Sequence, residues 1–114
     1  IGTEMLDEIE RATHYFNEHY NQSIVIEEYA KDRGMTANWF IQSFRRVTKY
    51  TPMQYIVHLR MTNAMNLIDN TNYNMAQIAA AIGYDNSMYF SRIFKKHTGL
   101  TPTEYKNRNI IQTS

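Results

Sequence analysis

Two stretches of the sequence carry basic and amide side chains that repeat on one face of a helix. The first is ANWFIQSFRRVT, residues 37–48, and the second is SMYFSRIFKKHT, residues 87–98. At about 100° per residue, the outward faces hold Asn38, Trp39, Gln42, Arg45 and Arg46, and then Met88, Tyr89, Arg92, Lys95 and Lys96. Guanidinium, ammonium and amide groups donate hydrogen bonds to bases and phosphates, and neither face contains an acid. Both faces therefore suit a polyanionic ligand.

The position of each side chain along its helix predicts what it would contact on double-stranded DNA. A recognition helix reaches base edges mainly from its first turns, which predicts base contacts for Asn38, Gln42, Met88 and Arg92. The basic residues of the later turns are predicted to bind phosphates, namely Arg45, Arg46, Lys95 and Lys96. Helix N-termini bind anions through free backbone N–H groups, which adds two predicted phosphate contacts, Thr36 and Asn86.

These interpretations have structural alternatives. A basic helix face is often simply solvated, but its recurrence in both stretches without acids favours binding. Trp39 and Tyr89 either cover the edge of the core or contact a sugar or a thymine methyl group. Arg60 either holds helix ends together or binds DNA. Core packing is predicted for the side chains of the opposite faces, which are Phe40, Ser43, Phe44, Val47, Phe90, Ile93, Phe94 and His97.

The two stretches belong to an internal duplication. With an offset of fifty residues, the matching pairs are Phe40 and Phe90, Phe44 and Phe94, Thr48 and Thr98, Thr51 and Thr101, Pro52 and Pro102, and Tyr55 and Tyr105. Upstream the offset is forty-nine, which pairs Ala30 with Ala79 and Gly34 with Gly83. Two copies are too few for a solenoid, so each copy is expected to be a small unit of its own kind.

Each copy predicts a helix, a turn at glycine and a second helix, which together form a helix-turn-helix unit. Gly34 and Gly83 mark the turns, and Thr36 and Asn86 are the predicted N-caps of the second helices. The first unit covers about residues 25–48 and the second about residues 75–98. A long, glycine-free linker helix over about residues 52–69 joins them, with Pro52 in its first turn.

The remaining segments predict two further helices. An acidic amphipathic helix comes first, and its inner face is predicted to hold Leu6, Ile9, Thr13, Phe16 and Tyr20. Pro102 starts a short final helix. The predicted fold is therefore all-α, with about seven helices in a single domain of residues 1–114.

Composition and charge also favour a folded protein that binds an anion. Hydrophobic residues make up 43% of the sequence, and the absence of Cys excludes disulfides and thiolate zinc sites. Residues 1–30 carry seven acids against Arg11 alone, whereas residues 31–114 carry eleven Lys or Arg against four acids. This basic body predicts a polyanionic partner. The sequence has no apolar run of membrane-spanning length and no signal peptide pattern, so we expect no membrane association and a cytoplasmic location.

Sequence signals for catalysis or for a cofactor are weak. His14 and His19 fall on different faces of their helix, and His58 and His97 have no partners at metal-ligand spacing. The sequence contains neither a glycine-rich phosphate loop nor a nucleophile elbow. We therefore expect a protein that is not an enzyme and that uses neither a cofactor nor a metal.

The second copy resembles a known family. Residues 78–106, IAAAIGYDNSMYFSRIFKKHTGLTPTEYK, contain the Ile-Ala, Gly-aromatic, Tyr-Phe-Ser-Arg, Phe-Lys-Lys, Gly and Pro-x-x-Tyr elements of the C-terminal DNA-binding domain of AraC/XylS transcription regulators. The first copy extends the resemblance over nearly the whole chain, as do the linker residues Arg60, Ala64 and Leu67. One departure is Lys49, where the family commonly has Gly, and it bears on local turn geometry.

The resemblance implies sequence-specific DNA binding by a bacterial transcription regulator, most often an activator. It implies two recognition helices in successive major grooves on one face of the duplex, about 10–10.5 bp apart. It also implies contact with RNA polymerase and a separate sensing or dimerising domain outside this chain. A rival hypothesis is a protein-interaction module whose helices bind polymerase or another regulator.

Overall fold

The computed structural model describes residues 2–108 of the chain. The regular structure of these residues consists of seven α-helices without a strand, which confirms the predicted all-α fold. The helices are α1 (Thr3–His19), α2 (Ile26–Asp32), α3 (Ala37–Thr48), α4 (Pro52–Asn70), α5 (Met75–Ala81), α6 (Ser87–Thr98) and α7 (Pro102–Lys106). Over the same residues, no helix combines the length and the apolar character needed to cross a membrane.

The chain divides into two compact units, and α4 runs through the boundary between them. The first unit ends at Leu59 and the second begins at Arg60, so each unit contains about half of α4. The first unit also holds α1, α2 and α3, and the second holds α5, α6 and α7. Each unit thus has its own helix-turn-helix, in which α3 or α6 occupies the position of the recognition helix.

Aromatic rings fill the core of the first unit. Phe16 of α1 is fully buried, and its ring centroid lies 6.4 Å from that of Phe40 and 5.7 Å from that of Phe44, both on α3. Tyr29 of α2 and Tyr55 of α4 lie 5.5 and 6.3 Å from the same ring. Rings from three other helices therefore pack on Phe16 of α1, which fixes the inward face of α3 and leaves its basic face outside.

The inner face of α1 differs in part from the predicted one. Ile9 and Phe16 are buried as expected, but Leu6 is 45% exposed, and Met5 packs against the core instead. In a projection at 100° per residue, Met5 lies about 20° from Phe16, whereas Leu6 lies about 80° from it. The inward stripe therefore starts at Met5 and continues through Ala12, which is fully buried.

The second unit repeats the aromatic packing with fewer rings. Phe90 and Phe94 of α6 are fully buried with centroids 5.7 Å apart, and Tyr105 of α7 meets Phe94 edge-on at 5.5 Å. The corresponding rings of the first unit, fifty residues earlier, have the same separations of 5.7 and 5.5 Å. Aliphatic residues complete this core, among them Met61, Ala64, Ile78 and Ile82.

One residue that was predicted to face inward on α6 is exposed instead. His97 lies on the surface, whereas Val47, at the same position of the first copy, is partly buried against the core. Removing a polar imidazole from water costs free energy, while burying a valine side chain gains it. The two copies therefore differ at this position because their side chains differ in polarity.

Hydrogen bonds at the ends of the recognition helices repeat from one unit to the other. Thr48 Oγ1 donates to the carbonyl oxygen of Phe44 at 2.8 Å, and Thr98 Oγ1 donates to that of Phe94 at the same distance. Each threonine hydroxyl also accepts a hydrogen bond from the backbone N–H two residues later, at 3.1 and 3.2 Å. The same side chain therefore ends both helices in the same way.

The next helix of each unit begins with a capping box and a proline. At the start of α4, the Thr51 hydroxyl accepts from the N–H of Gln54, and the Gln54 side chain accepts from the N–H of Thr51. At the start of α7, Thr101 and Glu104 exchange the same pair of hydrogen bonds. The reciprocal pair satisfies two N–H groups that a helix start otherwise leaves unpaired.

The residue after each recognition helix adopts the left-handed backbone conformation. Gly99 follows α6 with φ of 86°, and Lys49 follows α3 with φ of 73°. A Cβ atom strains this conformation, and within residues 2–108 Lys49 is the one non-glycine residue with a positive φ. The lysine that departs from the family pattern therefore leaves strain at the end of α3.

We expect Lys49→Gly to stabilise the protein and Gly99→Ala to destabilise it. Glycine relieves the left-handed strain but loses more entropy on folding, so the expected net gain for Lys49→Gly is about 0.5–1 kcal/mol. A Cβ atom at Gly99 would meet no atom within 4 Å, so the cost of Gly99→Ala reflects backbone strain alone. Urea unfolding at neutral pH measures both changes, and a loss of stability in Lys49→Gly would contradict this account.

Candidate nucleic-acid interface

The N-terminus of each recognition helix is capped by the side chain that the sequence predicts. At the start of α3, Thr36 Oγ1 accepts a hydrogen bond from the backbone N–H of Trp39 at 3.1 Å. At the start of α6, Asn86 Oδ1 accepts from the N–H groups of Met88 and Tyr89 at 2.8 and 3.0 Å. Because the cap oxygens are engaged, a phosphate would meet the hydroxyl proton of Thr36 or the amide N–H₂ of Asn86.

The outward side chains that the sequence predicts are all exposed. They are Asn38, Trp39, Gln42, Arg45 and Arg46 on α3, and Met88, Tyr89, Arg92, Lys95 and Lys96 on α6. Met88 is 73% exposed, so it contributes little to the core. Trp39 and Tyr89 are 39% and 46% exposed, so each side chain is partly covered by the protein and partly accessible from outside.

The basic side chains of these faces take no part in the ion pairs found among the described residues. Two arginines outside these faces do form ion pairs, since Arg33 binds Glu8 at 3.0 Å and Arg108 binds Asp69 at 3.0 Å. Neither arginine belongs to a recognition helix. Within residues 2–108, no ion pair involves Arg45, Arg46, Arg92, Lys95 or Lys96. Their charges are therefore available to an external anion.

An open groove of about 520 Å³ runs along the outer face of α6. Its lining residues are Met88, Ser91, Arg92, Lys95, Lys96 and Thr101. The groove brings together both predicted base contacts of the second copy and two of its predicted phosphate contacts, Lys95 and Lys96, whereas Asn86 is not among its lining residues. Thr101 was not predicted to lie here, because the repeated Thr-Pro pair indicated only where a helix begins.

One acid lies close to this basic surface. Glu104 of α7 accepts a hydrogen bond from the backbone N–H of Thr101 at 2.8 Å. This backbone hydrogen bond, together with one to the Thr101 side chain, lowers the pKa of Glu104 below its ordinary value, and the positive charge of Lys95 lowers it further. The carboxylate is therefore ionised at neutral pH, and it is held at the start of α7.

We expect Glu104→Gln to remove part of the pH dependence of stability. Because the folded state lowers the pKa of Glu104 from its ordinary 4.5, the carboxylate contributes its full stabilisation above that pH. This contribution is lost as the pH falls through the lower pKa of the folded state. Glutamine keeps the capping hydrogen bonds, as Gln54 does in the first unit, but does not titrate. The thermal midpoint should therefore fall less between neutral pH and about pH 3 in the variant than in the wild type.

The matched control is Gln54→Glu at the equivalent cap of α4. This change introduces a titrating carboxylate into the same hydrogen-bond arrangement, so it should steepen the loss of stability at acid pH. If the thermal midpoints of the wild type and Glu104→Gln changed in parallel with pH, the hydrogen bonds of the cap would not be the source of the lowered pKa of Glu104.

The histidines lie in contacts along helix surfaces. His14 pairs with Glu18 along α1 at 3.2 Å, and the ring of His19 stacks on Tyr15 with centroids 4.2 Å apart. Among the described residues, no group of three or more His, Asp or Glu side chains could hold a metal ion, and the sequence contains no Cys.

Comparison with known proteins identifies the type of domain. The family model of the AraC-type helix-turn-helix domain matches residues 29–108, more than half of the chain. The MmsAB operon regulatory protein of Pseudomonas aeruginosa is 34% identical over 94 residues, which cover 82% of this chain and 31% of that protein. The transcriptional activator RhaR of Mannheimia succiniciproducens is 40% identical over 94 residues, 79% of this chain and 34% of RhaR. The chain thus spans about a third of the length of these relatives.

Solved structures show the same fold. The C-terminal domain of AraT, a response regulator from Geobacillus stearothermophilus, has a TM-score of 0.84 at 26% identity and covers 88% of this chain and 84% of its own. The DNA-binding domain of AdpA, solved in complex with a target DNA, has a TM-score of 0.83 and covers 91% of this chain and 94% of its own; at 20% identity it bears on the fold alone. These relatives are regulators rather than enzymes. By its two helix-turn-helix units, its motif residues and these matches, the chain belongs to the AraC/XylS family.

Proposed function

We propose that the chain binds double-stranded DNA in a sequence-specific manner, with α3 and α6 each inserted into a major groove. The observation that carries this proposal is the pair of exposed faces on the recognition helices. Each face has an amide or a guanidinium group in its first turns and, in its later turns, cations that form no ion pair within residues 2–108. A major groove is wide enough for an α-helix, and its base edges accept hydrogen bonds from these groups.

The base contacts are proposed to differ between the two helices. Asn38 and Gln42 of α3 carry amides, which suit the N6 and N7 groups of adenine. Arg92 of α6 suits O6 and N7 of guanine, and the exposed Met88 suits a thymine methyl group. Because the two copies differ at these positions while sharing their core residues, one chain is expected to read an asymmetric site.

Phosphate contacts are proposed for the remaining polar residues of the two faces. The cations of the later turns supply charge, and the two N-caps supply neutral donors beside the backbone N–H groups of the first turns. These residues are Thr36, Arg45, Arg46, Asn86, Lys95 and Lys96. Trp39 and Tyr89, at the rims of the faces, are proposed to contact sugars or a thymine methyl group. Such contacts position the helices, while the base contacts select the sequence.

We further propose that the chain is the DNA-binding part of a bacterial transcription regulator that acts in the cytoplasm, and that this regulator is an activator. One relative is named as an operon regulatory protein and another as a transcriptional activator. Since the chain spans about a third of these relatives, a sensing or dimerising domain is proposed to lie elsewhere in the full protein. Contact with RNA polymerase is proposed from the family resemblance.

The affinity for DNA should fall steeply with salt. Bound phosphates release counterions, so the slope of log K against log salt is about −0.9 per phosphate, and the four predicted cationic contacts give about −3.6. Selection of bound sites from random DNA, followed by titration at several salt concentrations, measures both the motif and the slope. The selected motif should contain two unlike sub-sites about 10–10.5 bp apart.

A matched control separates this function from the rival interaction module. Arg11→Ala removes one positive charge from the acidic helix α1, outside the proposed interface, and should leave the slope unchanged. Lys96→Ala removes one charge from α6 and should reduce the slope by about one. Weak binding without sequence preference at moderate salt would contradict DNA recognition and favour a protein partner.

A further inference from the structure

A row of two aromatic rings with a cation at each end joins α4 to the recognition helix α6 within the second unit. The guanidinium carbon of Arg60 lies 4.8 Å from the ring centroid of Tyr84. The ring of Tyr84 meets that of Tyr89 edge-on, with centroids 5.6 Å apart. The guanidinium carbon of Arg92 lies 6.0 Å from the ring centroid of Tyr89. Each separation lies within the range at which such groups attract one another.

The middle of this row is anchored to the core. The backbone N–H of Tyr84 donates to the carbonyl oxygen of Ala79 at 2.8 Å, which holds the turn after α5. Its ring stacks on the fully buried Phe90 with centroids 6.3 Å apart. Tyr84 is therefore held by the core on one side and by Arg60 on another, and it supports the half-exposed ring of Tyr89.

The first copy lacks this row. Met35 stands at the position of Tyr84, Trp39 at that of Tyr89, and Gln42 at that of Arg92. The two copies share their capped N-termini, their buried phenylalanines and the threonine hydrogen bonds at the helix ends, so this difference is not part of the shared scaffold. The row occurs in the copy whose proposed base contact is an arginine.

An arginine in a binding face carries a conformational cost. Its long side chain loses rotamer freedom when it is fixed on a base, and this loss weakens binding unless the side chain is already ordered. A neighbouring ring that attracts the guanidinium group orders it before DNA binds. Tyr89 lies one helical turn from Arg92 and can do this only if its own ring is held in place.

We infer that Arg60 and Tyr84 are positioning residues for DNA recognition, which hold Arg92, through Tyr89, in the orientation from which it binds guanine. This inference rests on the proposed function and adds two residues that do not themselves contact a base. It assigns to Arg60 a role within the protein, in place of the phosphate contact that the sequence left open. The two roles differ in what they change, because a phosphate contact affects all DNA sequences alike.

The test uses the whole chain, its selected DNA site, and the same site with the guanine read by Arg92 replaced. Arg92→Ala identifies that guanine as the position where discrimination is lost. Arg60→Met and Tyr84→Leu should each reduce the preference for guanine by about two- to ten-fold, the range for ordering one long side chain. Both variants should leave the salt slope unchanged. Tyr84→Phe keeps the ring and should retain the wild-type preference for guanine. Met35→Leu at the equivalent position of the first unit is the control and should have no effect on that preference.

Repeating Arg60→Met in the Arg92→Ala background gives the decisive comparison. If Arg60 acts through Arg92, its replacement has no further effect on discrimination there. If Arg60→Met weakened binding to all sequences equally and reduced the salt slope by about one, the inference would be overturned and Arg60 would be a phosphate contact.

A different result would separate this inference from the proposed function. If Arg92→Ala left discrimination intact at every position, the base contact proposed for Arg92 would fail and this inference with it, while salt-dependent binding would still test DNA binding itself. Thermal melts confirm folding, and Arg60→Met carries the test if Tyr84→Leu does not fold.

Discussion

Phe16→Ala is expected to destabilise the chain by about 3–5 kcal/mol, the usual cost of removing a buried phenylalanine ring. The ring of Phe16 is fully buried, and its centroid lies between 5.5 and 6.4 Å from those of five other rings. A smaller side chain at this position would lose these contacts unless the surrounding rings repacked. Since native proteins have only about 5–15 kcal/mol of stability, this loss is a large share of the total. Urea unfolding monitored by helical circular dichroism measures the loss.

Two further variants show whether the loss of stability comes from removing this buried ring. Phe16→Leu retains most of the buried volume and should cost less than Phe16→Ala, which keeps the prediction testable if the alanine variant does not fold. Tyr15→Ala removes the neighbouring ring, which is 38% exposed, and should cost less than either. A loss below about 1 kcal/mol in Phe16→Ala would mean that α1 is not an essential part of the core. That outcome would be informative, because the whole of α1, with the core residues it supplies, precedes the matched family region at residues 29–108.

The features that could be predicted from the sequence are those set by neighbours along the chain. A period of 3.6 residues separates the buried Phe40 and Phe90 from the exposed Gln42 and Arg92, whatever surrounds the helix. An N-cap acts on N–H groups two or three residues away, so Thr36 could be recognised without any tertiary information. The duplication strengthened both predictions, because each pattern appeared twice.

The features that could not be predicted depend on contacts between distant segments. Arg60 and Tyr84 are twenty-four residues apart, and nothing in their local sequence pairs them. The approach of Glu104 to Lys95 depends on how α7 packs on α6. The exposure of His97 shows a limit within one helix, since helical projection gives the direction of a side chain but takes no account of its polarity.

The two copies separate the requirements of folding from those of reading DNA. The residues that repeat, such as Phe44 with Phe94 and Thr48 with Thr98, make core contacts or end helices in both units. The first-turn residues of the outward faces do not repeat. A chain with two identical reading faces would favour a site with two identical sub-sites, whereas this one is expected to recognise two different ones in a fixed order.

Arg92→Ala is expected to relax sequence preference at one base position of the selected site. Loss of a bidentate contact to guanine costs about 1–3 kcal/mol of discrimination, which corresponds to roughly a tenfold to hundredfold change at that position. The site bound by the variant should tolerate any base there, while preferences elsewhere persist. Selection from random DNA with the wild type and the variant, followed by affinity measurements on four DNAs that differ at that one position, gives the change directly.

Lys96→Ala is the matched comparison, since it removes a charge from the same helix one turn later. It should weaken binding to all four DNAs by a similar factor and keep the ranking of their affinities, because a phosphate carries no sequence information. Lys96→Glu, which reverses the charge, should weaken binding to all four DNAs further without changing that ranking. Equal losses on all four DNAs from both Arg92→Ala and Lys96→Ala would show that α6 contributes charge alone. In that case the division of its outward face into a base-reading first half and a phosphate-binding second half would be wrong, and Met88 would become the remaining candidate on α6 for base selection.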